Sequence, residues 1–380
     1  MKILIDVRLL NKGRTSGIEE YTRFLINQLL TIDQKNEYVF FNNGLRKTNP
    51  SVDWFKFKNP SFVNWRIPNK IFDLSLKFLK EPELDRFIDF DLVFSPHFNL
   101  LRLGKNKKRV VTFHDLSFIH FPEFYPWRKR YWHWTQDCKN QAKEATKLIT
   151  VSEFTKTDLV EVFGIEPNKI EVIYSGINPI YSKLLGNDEG LKIFQKRNNL
   201  QRPFLLFVGV IEPRKNIDAI IRAFDIIKDK PKFHDLELII VGEQGWLYKK
   251  IIEKINSSKA RENIRMWGAA SYDELRYLYN LATVFVYPSI FEGFGFPPLE
   301  AQTCGAPVVA SNRSSLPEIL GESALFVDPW RINEFVVAIE SLLENRGLSE
   351  KLIKKGFENI KRFNWAKTAH RVLEIFETLK

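Results

Sequence analysis

Residues 284–300 read VFVYPSIFEGFGFPPLE, an apolar run followed by a glycine-rich loop and a pair of prolines. The run Val284–Pro288 does not alternate polar and apolar residues, which is typical of a strand buried on both faces of a parallel sheet. Gly293 and Gly295 allow the loop backbone to approach a ligand closely, and the prolines suit the first turn of a helix. The stretch therefore predicts a strand, a loop and a helix whose free N–H groups face an anion.

Similar apolar runs recur along the whole chain, and the segments between them have helical spacing. In one of these segments Ile217, Ile220 and Phe224 fall on one face. The predicted strands are Lys2–Arg8, Tyr38–Asn42, Asp91–Pro96, Arg109–His114, Leu148–Ser152 and Lys169–Tyr174 in the first half, and Phe204–Val210, Glu237–Val241, Ile264–Trp267, Val284–Pro288, Pro307–Ser311 and Ala324–Asp328 in the second. Strand and helix in repetition predict an α/β protein of two doubly wound, Rossmann-like sets.

The length of 380 residues suits two domains. We predict one over residues 1–185 and another over residues 200–360, with the polar segment Asn178–Arg202 as a linker. The chain ends in two helical patterns, Ser349–Arg362 and Trp365–Leu379. Two facing Rossmann-like domains create a cleft, and ligands of such sheets bind beyond the carboxyl ends of the strands.

The composition argues against several classes of protein. The net charge of +11 is spread over both halves, so we expect no nucleic-acid partner. Cys138 and Cys304 form no Cys/His cluster, which argues against structural zinc and a disulfide framework and favours a reducing cytoplasm. No apolar run is long enough to cross a bilayer, and the N-terminus has the pattern of a strand and not of a signal peptide. Dinucleotide and P-loop fingerprints do not occur in the sequence.

Four charged residues follow predicted strands of the second half. Glu292 and Glu300 bracket the glycine loop, and each carboxylate can accept two hydrogen bonds from a pair of sugar hydroxyls. Glu300 is also the kind of residue favoured near any helix N-terminus. Arg214 and Lys215 follow the strand that ends at Gly209, where two cations can neutralise a diphosphate. A solvated turn is the alternative for this pair.

The first half offers weaker candidates. His114 ends a predicted strand, where it could bond a sugar hydroxyl, although a lone histidine is more often structural. Thr15-Ser16-Gly17 precedes a helix that begins near Ile18, so Gly17 would bring a helix N-terminus towards a diphosphate. Asp89-Phe90-Asp91 matches the metal-binding D-x-D pattern, but it lies at the amino end of its strand, which is the wrong end for a site.

Several of these segments carry a family resemblance that covers nearly the whole chain. Glu292 and Glu300 match an E-x7-E motif, and EPRKN at Glu212–Asn216 and HDLSF at His114–Phe118 match other parts of the same pattern. The sequence resembles the retaining GT-B glycosyltransferases of family GT4, and within them the bacterial mannosyltransferases that build O-antigen or capsular chains. The resemblance implies two facing Rossmann-like domains, with residues 361–380 forming a helix that returns to the N-terminal, acceptor-binding domain.

The resemblance also implies a role for each matched residue. Glu300 would bond the ribose, Glu292 the donor sugar, and Arg214 and Lys215 the diphosphate, while His114 would lie near the reacting centre. The implied catalytic residues are therefore His114, Glu292, Arg214 and Lys215. The implied donor-binding residues are Gly17, Gly209, Arg214, Lys215, Gly268, Glu292, Gly293, Phe294, Gly295, Phe296, Leu299 and Glu300. The chain departs from many relatives at Ser16, where they have a second glycine, and at Val210, where they have an arginine.

The function implied is transfer of a hexose, most simply mannose from GDP-mannose, to a glycan or lipid-linked acceptor, with retention and with neither a metal nor a cofactor. Two alternatives stay open. One is another GT-B enzyme of sugar nucleotides, with a different donor, or an epimerase or a starch or glycogen synthase. The other is a non-catalytic protein that binds sugar nucleotides.

Two segments of the first half combine apolar and basic residues. The segment Arg66–Lys80 has Ile67, Ile71, Leu74 and Phe78 at helical spacing, and Trp127, Tyr131, Trp132 and Trp134 lie beside basic residues further on. The favoured interpretation is a pair of helices that face the core. The alternative is a surface in peripheral contact with an anionic membrane. A cytoplasmic enzyme would then meet a lipid-linked acceptor at the inner face of the cell membrane.

Overall fold

The computed structural model describes residues 1–12, 17–44, 54, 56, 57 and 59–380. The chain folds into two compact units. Unit 1 comprises Met1–Pro122, Trp127–Gly176 and Phe363–Lys380, and unit 2 comprises Glu123–Pro126 and Ile177–Arg362.

Within the described residues, unit 1 contains a parallel sheet of seven strands in the order β3-β2-β1-β4-β5-β6-β7. The strands are β1 (Lys2–Asp6), β2 (Glu37–Asn43), β3 (Pro60–Trp65), β4 (Leu92–Ser95), β5 (Lys108–Phe113), β6 (Lys147–Thr150) and β7 (Ile170–Val172). The central strands are almost wholly buried, as their continuous apolar runs predict. The sequence did not predict β3, because this edge strand is half-buried, polar in part, and starts with a proline that cannot donate to the ladder.

Helices lie between the strands of unit 1. They are α1 (Gly17–Ile32), α2 (Asn69–Leu74), α3 (Ser117–His120), α4 (Trp127–Gln136), α5 (Cys138–Glu144) and α6 (Glu153–Phe163). The apolar face of α6 packs into a core cluster that includes Phe113, Leu148 and Phe163. The hydroxyl of Ser152 caps the start of α6 by accepting from the Thr155 amide at 3.1 Å. Local capping and burial of one face therefore agree on where this helix lies.

Unit 2, all of whose residues are described, has a parallel sheet of six strands in the order β10-β9-β8-β11-β12-β13. The strands are β8 (Phe204–Val208), β9 (Glu237–Val241), β10 (Ile264–Gly268), β11 (Val284–Tyr287), β12 (Val308–Ser311) and β13 (Ala324–Val327). Its helices are α7 (Glu189–Arg197), α8 (Ile217–Lys228), α9 (Lys249–Ser257), α10 (Tyr272–Leu281), α11 (Phe296–Thr303), α12 (Leu316–Leu320), α13 (Ile332–Glu344) and α14 (Arg346–Asn359). The prediction of two doubly wound α/β sets is thus confirmed.

The last helix, α15 (Trp365–Thr378), packs on unit 1. The Trp365 ring stacks on Phe24 at 5.6 Å between centroids and meets the edge of Tyr21 at 5.8 Å. A Cβ on Gly176 would lie 2.3 Å from the Trp365 nitrogen, so this glycine allows the close approach. The end of the chain therefore completes the hydrophobic core that the first half begins, as the expected return of the C-terminal helix requires.

The polar segment predicted as a linker belongs to unit 2 and contains the helix α7. The Asp188 carboxylate caps α7 by accepting from the Leu191 amide at 2.8 Å, and Leu191 is buried. The helix is short and has few apolar residues, so its asparagine- and glycine-rich surroundings favoured the prediction of a linker.

The favoured interpretation of Arg66–Lys80 was wrong. Ile71, Leu74 and Phe78 are exposed, while Phe72 and Leu76 enter the core. The helix does not keep one regular face, because α2 passes at Ser75 into a π-helical turn that extends to Leu79. None of the described helices is long and apolar enough to span a bilayer.

Candidate functional site

The candidate site of unit 2 lies where the strand order reverses, between β8 and β11. The two strands are paired in parallel, with Val284 opposite Leu205, so the loops that follow them leave the same edge of the sheet. These loops are joined directly: the Ile290 amide donates to the Arg214 carbonyl at 2.9 Å. The reversal point of a doubly wound sheet is where such folds place a ligand.

Glu292 lies at the centre of this site and is buried. Its Oε1 accepts hydrogen bonds from Lys215 Nζ at 2.5 Å, Ser289 Oγ at 2.5 Å and Tyr287 Oη at 3.0 Å. Its Oε2 lies 3.0 Å from Arg214 Nη1. The structure therefore brings together three residues singled out in the sequence, Glu292, Arg214 and Lys215, and adds Tyr287 and Ser289 to them.

The pKa values of Glu292 and Lys215 depend on burial and on the neighbouring charges of the cluster. Burial acts to raise the pKa of Glu292, but the nearby cations Arg214 and Lys215 and the hydrogen bonds overcome it and lower the pKa to about 2. Burial lowers the pKa of Lys215, and the Glu292 carboxylate opposes that effect. The carboxylate is ionised at neutral pH. The alternative of a solvated turn for Arg214 and Lys215 does not hold, because Lys215 is buried and paired.

Glu212 fixes the arginine of the cluster and was not singled out in the sequence. Its Oε1 accepts from Arg214 Nε at 3.0 Å and lies 2.8 Å from Nη2, so the flat guanidinium is held along one edge. Arg214 Nη1 also donates to the Phe291 carbonyl at 2.5 Å. Glu212 is buried. The one signal for it was its place in the EPRKN segment, two residues before the arginine.

The glycine loop that follows Glu292 is held by two serines. Ser314 Oγ accepts from the Glu292 amide at 2.8 Å, and Ser315 Oγ donates to the carbonyls of Glu292 and Phe294 at 2.9 and 3.1 Å. Gly295 has a φ of +105°, and a Cβ there would lie 2.8 Å from Leu316 Cδ2. The loop between Gly293 and Phe296 therefore has a defined shape that requires glycine at 295.

Glu300 and Leu299 lie on α11, directly after the loop. Glu300 is buried, and its Oε2 accepts from Tyr279 Oη at 2.7 Å. Burial raises the pKa of Tyr279 well above its ordinary value, and the Glu300 carboxylate adds to the effect. Leu299 is buried in the core. The two glutamates of the motif thus have different partners: Glu292 is held by cations, whereas Glu300 is held by a neutral phenol.

Three glycines lie at the carboxyl ends of adjacent strands in unit 2. Gly209 donates its amide to the Val241 carbonyl at 2.9 Å, and the Gly242 amide donates to the Gly268 carbonyl at 2.8 Å. A Cβ on Gly242 would lie 1.9 Å from the Gly209 oxygen. The predicted residues Gly209 and Gly268 therefore flank Gly242, which was not among the predicted site residues.

The candidates of unit 1 lie near the start of α1. His114 is buried, its Nε2 lies 2.8 Å from the Pro96 carbonyl, and its ring meets the edge of Tyr21 at 4.7 Å. Burial lowers the pKa of His114 to about 4, against the opposing effect of the Pro96 carbonyl, so the ring is neutral at pH 7. Gly17 is exposed and begins α1, the helix that carries Tyr21. Thr15 and Ser16 lie outside the described residues.

Asp89 and Asp91, the acids of the D-x-D pattern, bind the first residues of the chain. Asp91 Oδ2 accepts from the Lys2 amide at 2.7 Å, and Asp89 Oδ2 accepts from Lys2 Nζ at 3.2 Å. Lys2 begins β1, so both acids lie at the amino end of the sheet. This is the position that their place before an apolar strand predicted.

Comparisons with solved structures identify the fold. Sucrose-phosphate synthase from Thermosynechococcus elongatus is 18% identical with a TM-score of 0.77, over 100% of this chain and 98% of that one. The Anabaena protein HepE, solved with UDP-glucose, is 15% identical with a TM-score of 0.76, over the whole of both chains. WaaG, described as a glycosyltransferase of lipopolysaccharide biosynthesis, is 15% identical with a TM-score of 0.72, over 99% of each chain. At these identities the likeness shows the fold alone.

Comparisons of sequence identify the family. O-antigen chain mannosyltransferase B of Escherichia coli is 29% identical over 72% of this chain and 71% of its own length. The serotype-specific mannosyltransferase WbdA of Escherichia coli is 28% identical over 72% of this chain but 34% of its own length, so the alignment spans about a third of that relative. Residues 15–180 match the model of Glycosyltransferase Family 4, and residues 188–359 match that of Glycosyl transferases group 1. The chain therefore belongs to the group 1 and family 4 glycosyltransferases and has the GT-B fold.

Proposed function

We propose that this chain transfers mannose from GDP-mannose to a glycan or lipid-linked acceptor during the assembly of an O-antigen or related polysaccharide, with retention of configuration. The observation that carries the proposal is the cluster of buried Glu292 and Lys215 with half-buried Arg214 at the carboxyl ends of β8 and β11, next to a glycine loop of fixed shape. The choice of mannose is supported by the relatives, two of which are named as O-antigen chain mannosyltransferases.

A fixed pair of cations, Lys215 buried and Arg214 half-buried, suits a nucleoside diphosphate. In the cluster both cations are already paired with Glu292, so a diphosphate must share them or displace the carboxylate. A carboxylate released in this way can accept hydrogen bonds from the donor sugar's hydroxyls. We therefore assign the diphosphate to Arg214 and Lys215, the donor sugar to Glu292 and the ribose to Glu300. The role of His114 at the reacting centre stays a prediction.

The reaction proposed is a front-face transfer. The bond between the anomeric carbon and the phosphate oxygen breaks while the acceptor hydroxyl attacks the same face, and the hydroxyl proton passes to the leaving phosphate oxygen. Charge grows on the diphosphate as it leaves, and fixed cations stabilise that charge more in the transition state than in the bound donor. Arg214 and Lys215 are held in advance by Glu212 and Tyr287, so little reorganisation accompanies the reaction.

The donor is tested by thermal shift with GDP-mannose, UDP-glucose, and dTDP- and ADP-sugars. A ligand that binds the native state raises the melting temperature, so GDP-mannose should give the largest rise. The double variant Arg214→Gln/Lys215→Gln should lose this rise, whereas the exposed pair Lys249→Gln/Lys250→Gln should keep it. A larger rise with another sugar nucleotide would overturn the choice of donor.

Retention and independence of metal are tested by the transfer assay. The anomeric configuration of the product, read by NMR, should match that of the donor, and transfer should persist in excess EDTA because the two cations supply the countercharge. An inverted product contradicts the mechanism. Strict dependence on Mg²⁺ or Mn²⁺ contradicts the role of the cations, and formation of an epimerised sugar nucleotide without acceptor contradicts transfer.

A further inference from the structure

The structure of unit 1 presents large apolar side chains to solvent on two neighbouring helical segments. Phe78 and Leu79 on the π-helical turn, and Trp127, Tyr131 and Trp134 on α4, are 49% to 73% exposed. Scattered single apolar residues on a surface are ordinary, but a group of five of this size is not.

These side chains form one surface and not five separate exposures. The Trp134 ring lies 6.0 Å from Phe78 and 5.7 Å from Tyr131, between centroids. Trp127, Tyr131 and Trp134 are spaced by four and three residues on α4, so they share one helix face. Leu79 follows Phe78 directly. We call this set, with the basic residues described next, the aromatic–basic surface.

Basic residues accompany the aromatic ones. Arg128, Lys129 and Arg130 are exposed on α4, whose ten residues include no acid. Lys77 lies with its Nζ 5.2 Å from the Trp134 ring centre, and Arg128 has its guanidinium 5.5 Å from that of Trp127. Residues 66–80 add three further basic residues and one acid, Asp73. The surface is therefore both apolar and strongly positive.

The basic residues of the surface outnumber the acidic residues beside it. Asp137 at the end of α4 lies 3.0 Å from Lys77 and 3.8 Å from Arg102, so it neutralises residues at the margin of the surface. The α4 helix itself adds three consecutive exposed basic residues and no acid.

We propose that the aromatic–basic surface docks unit 1 on an anionic lipid bilayer. Tryptophan and tyrosine rings prefer the boundary between lipid headgroups and hydrocarbon, because one end of each ring system is apolar and the other can bond water. Lysine and arginine are attracted to anionic headgroups, each by on the order of 1 kcal/mol near the surface. Exposed aromatic residues and an excess of basic over acidic residues on one face have the chemistry of an interfacial anchor.

The test measures co-sedimentation of the full chain with vesicles, in the absence of donor and acceptor. Vesicles of phosphatidylcholine with 30% phosphatidylglycerol are compared with phosphatidylcholine alone, at 50 mM and 500 mM NaCl. We expect binding to the anionic vesicles at low salt, and a fall at high salt, where exposed charges are screened. Because neither substrate is present, the outcome is independent of the proposed transferase activity.

Two sets of variants assign the binding to the surface. Arg128→Gln/Lys129→Gln/Arg130→Gln should weaken partitioning on the order of 100-fold, because each of the three lost charges contributes on the order of 1 kcal/mol to the attraction. Its control, Lys249→Gln/Lys250→Gln/Lys351→Gln, removes the same charge from exposed positions of unit 2 and should leave partitioning within about 5-fold of the wild type. Trp127→Gln/Trp134→Gln should weaken it too, whereas Trp330→Gln, which is equally exposed on unit 2, should not.

The proposal is overturned if the wild type does not sediment with anionic vesicles at low salt, or if neutral vesicles bind it as well. It is also overturned if the control triple variant loses as much binding as the triple variant of α4. The far-UV circular dichroism of each variant is compared with that of the wild type, so that loss of fold is not taken for loss of docking.

Discussion

At the scale of single residues, the candidate site depends on one buried carboxylate with two cationic partners. The sequence pointed to Glu292, Arg214 and Lys215 as separate candidates, because each follows a strand. It could not show that they are paired, since Arg214 and Glu292 lie 78 positions apart and meet only because β8 and β11 are neighbours. Tyr287 and Ser289 were not predicted for another reason. Hydroxyl side chains are common, and only their hydrogen bonds to Glu292 show that they belong to the site.

The first prediction concerns the substitution Glu292→Gln. It removes the negative charge but keeps the shape, so the buried Lys215 loses its ion pair, while the half-buried Arg214 keeps its pair with Glu212. Breaking a buried ion pair costs about 3–5 kcal/mol. Transfer should fall at least 100-fold if the carboxylate also holds the donor sugar. Urea unfolding and initial rates measure the two effects. The exposed Glu253→Gln serves as control, and full activity in Glu292→Gln would remove the residue from the proposed site.

The second prediction follows from the low pKa of Glu292. A carboxyl group whose pKa falls from 4.5 unfolded to about 2 folded stabilises the native state at every pH above 4.5. That contribution is lost as the pH falls through the interval from 4.5 to 2. The difference in unfolding free energy between wild type and Glu292→Gln should therefore be constant from pH 7 to pH 5 and shrink by pH 2.5. A difference that already shrinks between pH 7 and pH 5 would contradict the lowered pKa.

At the scale of elements, periodicity and hydrophobicity were sufficient for most strands. Twelve of the predicted runs correspond to strands of the two described sheets, because parallel strands buried on both faces have continuous apolar sequences. The edge strand β3 and the helix α7 were missed, since each has one side towards water and few apolar residues. The register and exposure of Arg66–Lys80 were not predictable, because the π-helical turn after α2 rotates the apolar stripe.

The third prediction concerns the loop between β11 and α11. Gly295→Ala places a side chain at a strained φ of +105° and 2.8 Å from Leu316 Cδ2, so the Leu316 side chain or the loop must shift. We expect a loss of about 1–3 kcal/mol in the free energy of unfolding, together with weaker binding of the donor. Gly186→Ala, where a Cβ meets nothing within 4 Å, should change stability by less than about 0.5 kcal/mol. Equal effects at the two positions would show that the loop shape does not depend on Gly295.

At the scale of the whole molecule, the sequence indicated two α/β sets, and the structure has two compact units. What composition could not show is how the chain is shared between them. Unit 1 takes its last helix from the C-terminus, and a four-residue segment, Glu123–Pro126, belongs to unit 2. Within unit 2 that segment is fixed by Trp246, whose indole donates to the Phe124 carbonyl and stacks on Tyr125 at 5.5 Å. Such exchanges depend on tertiary packing, which local sequence patterns do not encode.

The fourth prediction tests how far unit 1 depends on α15. Trp365→Ala removes a buried ring that packs on Tyr21 and Phe24, and a truncation of this size costs about 3–5 kcal/mol. Thermal unfolding followed by near-UV circular dichroism should show a clear loss of stability. The exposed Trp330→Ala should stay within about 0.5 kcal/mol of the wild type. An unchanged melting temperature in Trp365→Ala would mean that α15 contributes little to the core.

The place of Trp365 against Gly176 and Tyr21 also has a consequence for biosynthesis. Chains generally begin to fold from the N-terminus as they leave the ribosome. Here Tyr21 and Phe24 must wait for residues made much later, because the apolar surface that α15 covers stays open until Phe363–Lys380 have emerged. Unit 2 needs only earlier residues, so it can finish first. Nascent chains arrested just before Trp365 should therefore expose to chaperones the apolar surface of unit 1 that α15 covers. Synthesis and release of α15 should end that interaction.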